Sequence, residues 1–255
     1  MRFITLLTDF GSADGYVAEM KGAIYSINPA VTVVDVAHDI RPQDIREAAF
    51  ILAQTYRSFP EGTIHVAVVD PGVGTSRKGL LLQTKRYTFV GPDNGVFSFV
   101  WSREALVKKI DLTNPKYFAT RVNRTFHGRD VFGPVAAHVS LGVPARAFGC
   151  FIKTLVSLPT MRASRQRGRI RGEVIHADRF GNLVTNIPAE WMKGFRGTVS
   201  VDGARVPFAA TYGLVKEGAP LALIGSAELM EIAVNRGSAA ERFGSHAKVE
   251  VGNAT

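Results

Sequence analysis

The run Ile64-His65-Val66-Ala67-Val68-Val69-Asp70-Pro71-Gly72-Val73-Gly74 decides the fold. Its first six residues are mostly apolar and β-branched, and they stop abruptly at a carboxylate followed by proline and glycine. That pattern reads as a buried strand over 64–69 emptying into a turn. The same construction appears toward the N-terminus, where the apolar run 3–8 ends in Asp9-Phe10-Gly11. Next, Tyr16, Val17, Met20, Ala23, Ile24 and Ile27 recur at helical spacing until Asn28-Pro29 stops them. Residues 31–36 read as a second strand. Ile45, Ala48, Ala49, Ile51, Leu52, Tyr56 and Phe59 mark a second helix, closed by Pro60-Glu61-Gly62. Strand–helix–strand–helix–strand predicts βαβ units and a mainly parallel α/β sheet. Forward of the run, 80–83 and 87–90 are strand-like, the latter ending in Gly91-Pro92-Asp93-Asn94-Gly95, and a third helix is expected over 131–141.

The pattern then changes. Short β-rich runs over 170–175, 183–187, 198–201, 206–208, 221–224, 230–234 and 248–251 are punctuated by Gly, Pro, Asn and Asp. They predict a smaller, antiparallel, β-barrel-like C-terminal domain. The expected division is 1–157 for the α/β domain and 168–255 for the barrel, with an Arg-rich linker over 158–167. The chain has 255 residues and a net charge of +9, and part of that excess lies at Arg162, Arg165, Arg167, Arg169 and Arg171. A solvated linker is the commoner reading of such a run, which lacks the aromatics a single-strand binder would supply to stack bases, and nucleic acid is not the expected partner. The single cysteine, Cys150, allows no internal disulfide and fits a reducing compartment. No apolar stretch approaches the ~20 residues of a membrane span, and the opening residues lack a signal peptide's pattern. A cytoplasmic protein is expected.

Ligands of open α/β sheets bind outside the carboxyl ends of the strands. Three expected strands end in polar turns there: Thr8-Asp9-Phe10-Gly11, Val69-Asp70-Pro71-Gly72-Val73-Gly74 and Gly91-Pro92-Asp93-Asn94-Gly95. A fourth cluster, Phe126-His127-Gly128-Arg129-Asp130, precedes the third helix. Each has a plainer reading. Asp9 and Asp70 suit turn-organising roles, His127 a structural histidine, Arg77 a surface cation and Asp130 a helix N-cap. What favours a site is their convergence at strand ends. Gly-rich dinucleotide and phosphate loops, a G-x-S-x-G elbow and zinc-spaced Cys/His sets are all absent from the sequence.

Taken together, the loops resemble the S-adenosylmethionine hydroxide adenosyltransferases, relatives of the enzymes that make fluoro- or chloro-adenosine. The matching elements are 8–11 with Asp14, 33–38, 59–63, 69–74, 91–95, 125–130, 178–186 and 231–235, in order across both halves. The resemblance implies an N-terminal α/β domain, a C-terminal barrel-like domain, and a homotrimer with sites between subunits. It implies hydrolysis of S-adenosyl-L-methionine to adenosine and L-methionine, with no cofactor and no metal. Asp70, Arg77 and His127 map onto the water-activating set, which the halogenating relatives lack. Asp9 maps onto the ribose-binding residue, and Phe180 and Asn182 onto adenine contacts. Asp14, Asp178 and Ser226 map near the methionine end, and Asn94, Phe126, Glu231 and Asn235 complete the substrate-binding set. Where the halogenating relatives follow the serine with an arginine for the carboxylate, this chain has Ala227.

Those residue types suit attack by water on the ribose 5′ carbon. Neutral methionine leaves a sulfonium without help, so nucleophile activation is the demanding part, bulk water having a pKa near 15.7. A carboxylate, an imidazole and a guanidinium can share the water's proton and stabilise developing hydroxide without a metal. Two other readings compete: aspartates and a histidine at strand ends as a metal-dependent phosphoester hydrolase, and a non-enzymatic nucleoside- or RNA-binding module.

Overall fold

The computed structural model describes residues 2–159 and 162–252. It separates into two compact units, Met1–Leu158 and Pro159–Thr255. In the first, β1 (Phe3–Thr8), α1 (Tyr16–Ile27), β2 (Thr32–Ala37), α2 (Ile45–Thr55) and β3 (Ile64–Val68) follow in the expected order. After them come β4 (Gly79–Gln83), β5 (Thr88–Pro92), a one-turn α3 (Ser98–Trp101), β6 (Lys108–Leu112), α4 (Gly133–Ser140) and β7 (Gly149–Phe151). The sheet order is β2-β1-β3-β5-β4-β6-β7. β2, β1, β3 and β5 run parallel, and β4, β6 and β7 add antiparallel pairings.

Alternation along the central strands sorts side chains into two cores. Ile4, Leu6, Ile64, Val66 and Val68 pack with Met20 and Ile24 of α1 and Val135 of α4. Leu7, Ala67 and Val69 pack with Ala48 and Leu52 of α2 and with Tyr56. Helices therefore cover both faces of the sheet, as strands apolar on both faces require. Each fully buried Val, Leu or Ile contributes about 1.5–3 kcal/mol. Asp44 caps α2, its carboxylate accepting the Glu47 N–H at 2.9 Å. The chain leaves β1 toward β2 on one side and β3 lies on the other, so the switch in connection direction falls between the carboxyl ends of β1 and β3.

Three expectations change. Tyr16, counted with the buried stripe of α1, is 48% exposed, while Met20 and Ile24 carry the burial. The third helix begins earlier than 131, as a wide π-turn over Gly128–Phe132 leading into α4. The segment 158–167 is not simply a linker. Beyond residues 160–161, which lie outside the described residues, β8 (Ser164–Gln166) pairs with the start of β9 (Arg169–Ala177).

The second unit continues with β10 (Leu183–Pro188), β11 (Thr198–Val201), β12 (Ala204–Pro207), β13 (Pro220–Ile224), β14 (Leu229–Val234), α5 (Ala239–Phe243) and β15 (Lys248–Val251). Its antiparallel order is β12-β11-β15-β9-β10-β14-β13. A parallel bridge from Phe208 to Ala222 draws the two ends together into a nearly closed barrel around Leu183, Ile187, Val199, Val201, Ile232 and Val249. Among the described residues no helix is long and apolar enough to cross a membrane.

Candidate active site

The first unit concentrates its polar chemistry at the carboxyl edge of the sheet. Register pairs Thr8 with Val68 and Val66 with Val90, so Asp9, Asp70 and Asn94 leave neighbouring strands at one edge. Asp70 follows β3 directly, and the turn after it folds Arg77 back: Arg77 Nε donates to Asp70 Oδ1 at 3.0 Å, and its terminal nitrogen bonds Oδ2. That same terminal nitrogen lies 3.1 Å from His127 Nδ1. The Arg77 and Asp70 side chains are 8% and 5% exposed, and the guanidinium lies over the Phe132 ring at 5.4 Å. Gly74 shapes this turn. Its φ is +77°, and a Cβ there would stand 2.5 Å from the Arg124 carbonyl, so only glycine fits without displacement.

The contacts assign protonation. A guanidinium only donates, so His127 Nδ1 is an acceptor, the imidazole is neutral, and its proton is on Nε2. Burial, with the Arg77 charge second, pushes the His127 pKa below its ordinary value, consistent with a neutral ring. Burial pushes the Asp70 carboxyl above the usual carboxylate range, and the Arg77 charge partly opposes that shift. The trio carries one negative and one positive charge, with a neutral donor–acceptor ring beside them.

His127 is held by its surroundings. Arg129 Nε and a terminal nitrogen bond the two Asp130 oxygens at 2.7 and 3.1 Å, and its other terminal nitrogen bonds Glu19 at 2.6 Å. Asp130, 2% exposed, also accepts the Asn123 N–H at 2.7 Å. It is therefore a brace inside the π-turn and not the N-cap considered from sequence. Arg129 also covers the Phe126 ring at 4.8 Å, and Phe126 packs edge-on against Phe10 and Tyr16. Asp9 is oriented by the Gln43 N–H at 2.8 Å, and Gln43 adopts a left-handed φ of 67° to make that bond. Asn94 spans strand ends, donating to the Val69 carbonyl at 2.8 Å and accepting the Val96 N–H. Asp14 is exposed before α1.

The second unit gathers a separate set. Asp178 Oδ1 accepts the N–H groups of Phe180 and Asn182, and its Oδ2 accepts the Asn182 amide at 2.9 Å. This carboxylate organises the loop and leaves Phe180 79% exposed. Phe180, Asn182, Tyr212, Val234, Arg236 and Gly237 line a concavity of about 490 Å³. Glu231 is buried, accepts the Tyr212 hydroxyl at 2.8 Å and has its pKa raised by burial. Asn235 bonds the Val215 carbonyl, and Ser226 lies exposed in the β13–β14 turn. Tyr212, Gln43 and Glu19 escaped the sequence reading, which quoted Arg129 only within the 126–130 cluster. None belongs to a strand-end motif, and Tyr212 sits in a loop with no periodicity to flag it. Among the described residues no three His, Cys, Asp or Glu side chains converge as a metal site requires.

Residues 4–149 match the SAM hydroxide adenosyltransferase N-terminal domain, and residues 172–252 match the C-terminal domain of the same family. The chain belongs to the SAM hydroxide adenosyltransferase family. It is 44% identical to a protein from Thermus thermophilus named (R)-S-adenosyl-L-methionine hydrolase, over 96% of each chain. A protein of that name from Salinispora arenicola is 37% identical over 94% of this chain and 92% of its own. A solved structure of an uncharacterised conserved protein from Thermotoga maritima superposes with a TM-score of 0.92 at 34% identity, covering 98% of this chain and 100% of the other. A more distant relative, from an Actinoplanes species, is 28% identical over 72% of this chain and 71% of its own and carries the name fluorinase.

Proposed function

We propose that this protein hydrolyses S-adenosyl-L-methionine to adenosine and L-methionine, with water attacking the ribose 5′ carbon. The observation that carries the reading is the Asp70–Arg77–His127 contact set at the switch point of the sheet, in a chain whose relatives are named for this hydrolysis. Arg77 uses three of its donors on Asp70 and His127 and fixes both. His127, its Nδ1 occupied, offers an Nε2–H to the water oxygen and stabilises hydroxide as it forms. Asp70, its pKa raised by burial, accepts the water's proton. The S–C5′ bond breaks as the O–C5′ bond forms, the sulfur takes the bonding pair, and methionine leaves neutral. Charge disappears at the reacting centre, so a dry pocket favours the step.

Asp9 binds the ribose hydroxyls, and Phe126 closes the apolar wall. Asn94 contributes at the strand ends through its free amide hydrogen. Phe180 and Asn182 receive the adenine side, Asp14, Asp178 and Ser226 the methionine end, and Glu231 and Asn235 complete the substrate-binding set. No cofactor takes part. The relatives' name extends to this chain as a preference for the (R)-sulfonium. The protein works in the cytoplasm as a homotrimer. Turnover of purified (R)- and (S)-epimers, followed as adenosine and methionine, tests the assignment. Equimolar products from the (R)-epimer are expected, and no adenosine above the enzyme-free rate overturns it.

A further inference from the structure

Arg169 and Arg171, from the Arg-rich run, share one face of the barrel sheet with Arg205, while Arg165, opposite the buried Ile170, lies on the other. Cross-strand register sets Ser164, Arg171, Glu250, Ser200 and Arg205 in one row across β8, β9, β15, β11 and β12. At ~4.7–4.9 Å per strand that row spans about 19 Å. Two adjoining concavities, each about 540 Å³, share Arg169 and Arg171. One adds Arg167 from the hairpin tip, and the other adds Arg196 and Arg205 with the hydroxyls of Thr198 and Ser200. Glu250 pairs with Arg171 at 3.0 Å, and Glu173 sits opposite Lys248 in register.

The β8–β9 ribbon turns on Arg167-Gly168, whose φ values of 47° and 76° match the two-residue turn of a tight hairpin. Residues 164–169 are all exposed, and since Ile170 and Arg171 also pair with β15, it is the hairpin tip over 166–169 that projects from the sheet. A two-stranded ribbon of this kind fits the ~12 Å major groove of duplex DNA. Guanidinium, hydroxyl and amide groups are the usual phosphate contacts. No aromatic side chain lines either concavity, which argues against stacking on single-stranded bases. The breadth of the face exceeds what one free phosphate group needs.

We propose that this face is a docking surface for the phosphate backbone of duplex DNA, with the Arg167 hairpin entering the major groove. Binding is independent of sequence and uses none of the residues assigned to hydrolysis. The test is fluorescence anisotropy of the intact protein with a labelled duplex of about 24 base pairs, with binding falling about a hundredfold between about 50 and 200 mM salt if four phosphates are neutralised. The triple variant R167Q/R169Q/R205Q should flatten the slope of log K against log salt by about 2.7, at an unchanged hydrolysis rate and melting temperature. A control of equal charge, K85Q/K108Q/K153Q, should keep most of the slope. Equal losses in the two triple variants would reduce the effect to net charge and overturn the proposal. So would tighter binding to single strands, or arginine-dependent binding to anionic lipid vesicles without binding to duplex.

Discussion

Arg77 is the residue on which the site turns, because one guanidinium sets the geometry of the Asp70 carboxylate and the tautomer of His127. Lysine cannot reproduce a planar fork on two partners. Arg77→Lys, Asp70→Asn and His127→Ala should each lower kcat by about 10²–10³ while KM stays within a few-fold, read by steady-state adenosine release. Asp9→Ala should instead raise KM by about 10-fold or more, since a charged hydrogen bond contributes about 1.5–3 kcal/mol to binding. His65 belongs to a different account. It is fully buried on β3, bonds Thr5 at 2.8 Å and stacks on Phe89, and burial lowers its pKa to about 3. The unfolded chain takes up this proton below about 6.5 and the folded chain does not. His65 therefore costs no stability above about 6.5. As pH falls from there toward 3, stability drops by about 1.4 kcal/mol per pH unit, or about 2 kcal/mol by pH 5. Urea unfolding at pH 7 and pH 5 checks this, and His65→Phe should remove that part of the slope.

At the scale of elements, the π-turn Gly128–Phe132 carries His127, and the Glu19–Arg129–Asp130 bridge ties it to α1. Removing Arg129 leaves a buried carboxylate with the Asn123 N–H alone. Arg129→Gln should cost about 2–3 kcal/mol, and adding Asp130→Asn should cost less than the sum of the two single changes, measured in a double-mutant cycle by chemical denaturation. Sequence reading reached the strands of the parallel core because β-branched runs ending in Asp, Pro or Gly are a strong signal. It missed β6, whose two leading lysines mask a strand that pairs with β4. It treated β8 as linker because three polar residues show no periodicity of their own, and their pairing with β9 alone makes them a strand. The early helix start has the same origin. A π-turn widens the backbone to i→i+5 bonds, as from the Gly133 N–H to the Gly128 carbonyl, and no hydrophobic period marks that widening.

For the whole molecule, motifs spread over both units made the family legible, while the contacts that orient the site were not. Nothing local links residue 77 to residue 127, and their contact exists only because β3, its turn and the helix entry converge at one sheet edge. The hydrolase reading includes a homotrimer, and native mass spectrometry should give three times the 27.7 kDa chain mass; a purely monomeric protein with full activity would contradict it. The central claim is that water, activated by Asp70, Arg77 and His127, attacks the ribose carbon. Turnover of S-adenosyl-L-methionine in ¹⁸O-water, with mass spectrometry of both products, tests it most directly. One ¹⁸O in the 5′-hydroxyl of adenosine, unlabelled methionine in equal amount, and loss of both in the Arg77→Lys enzyme are expected. Label in any other product, or unlabelled adenosine, would contradict it.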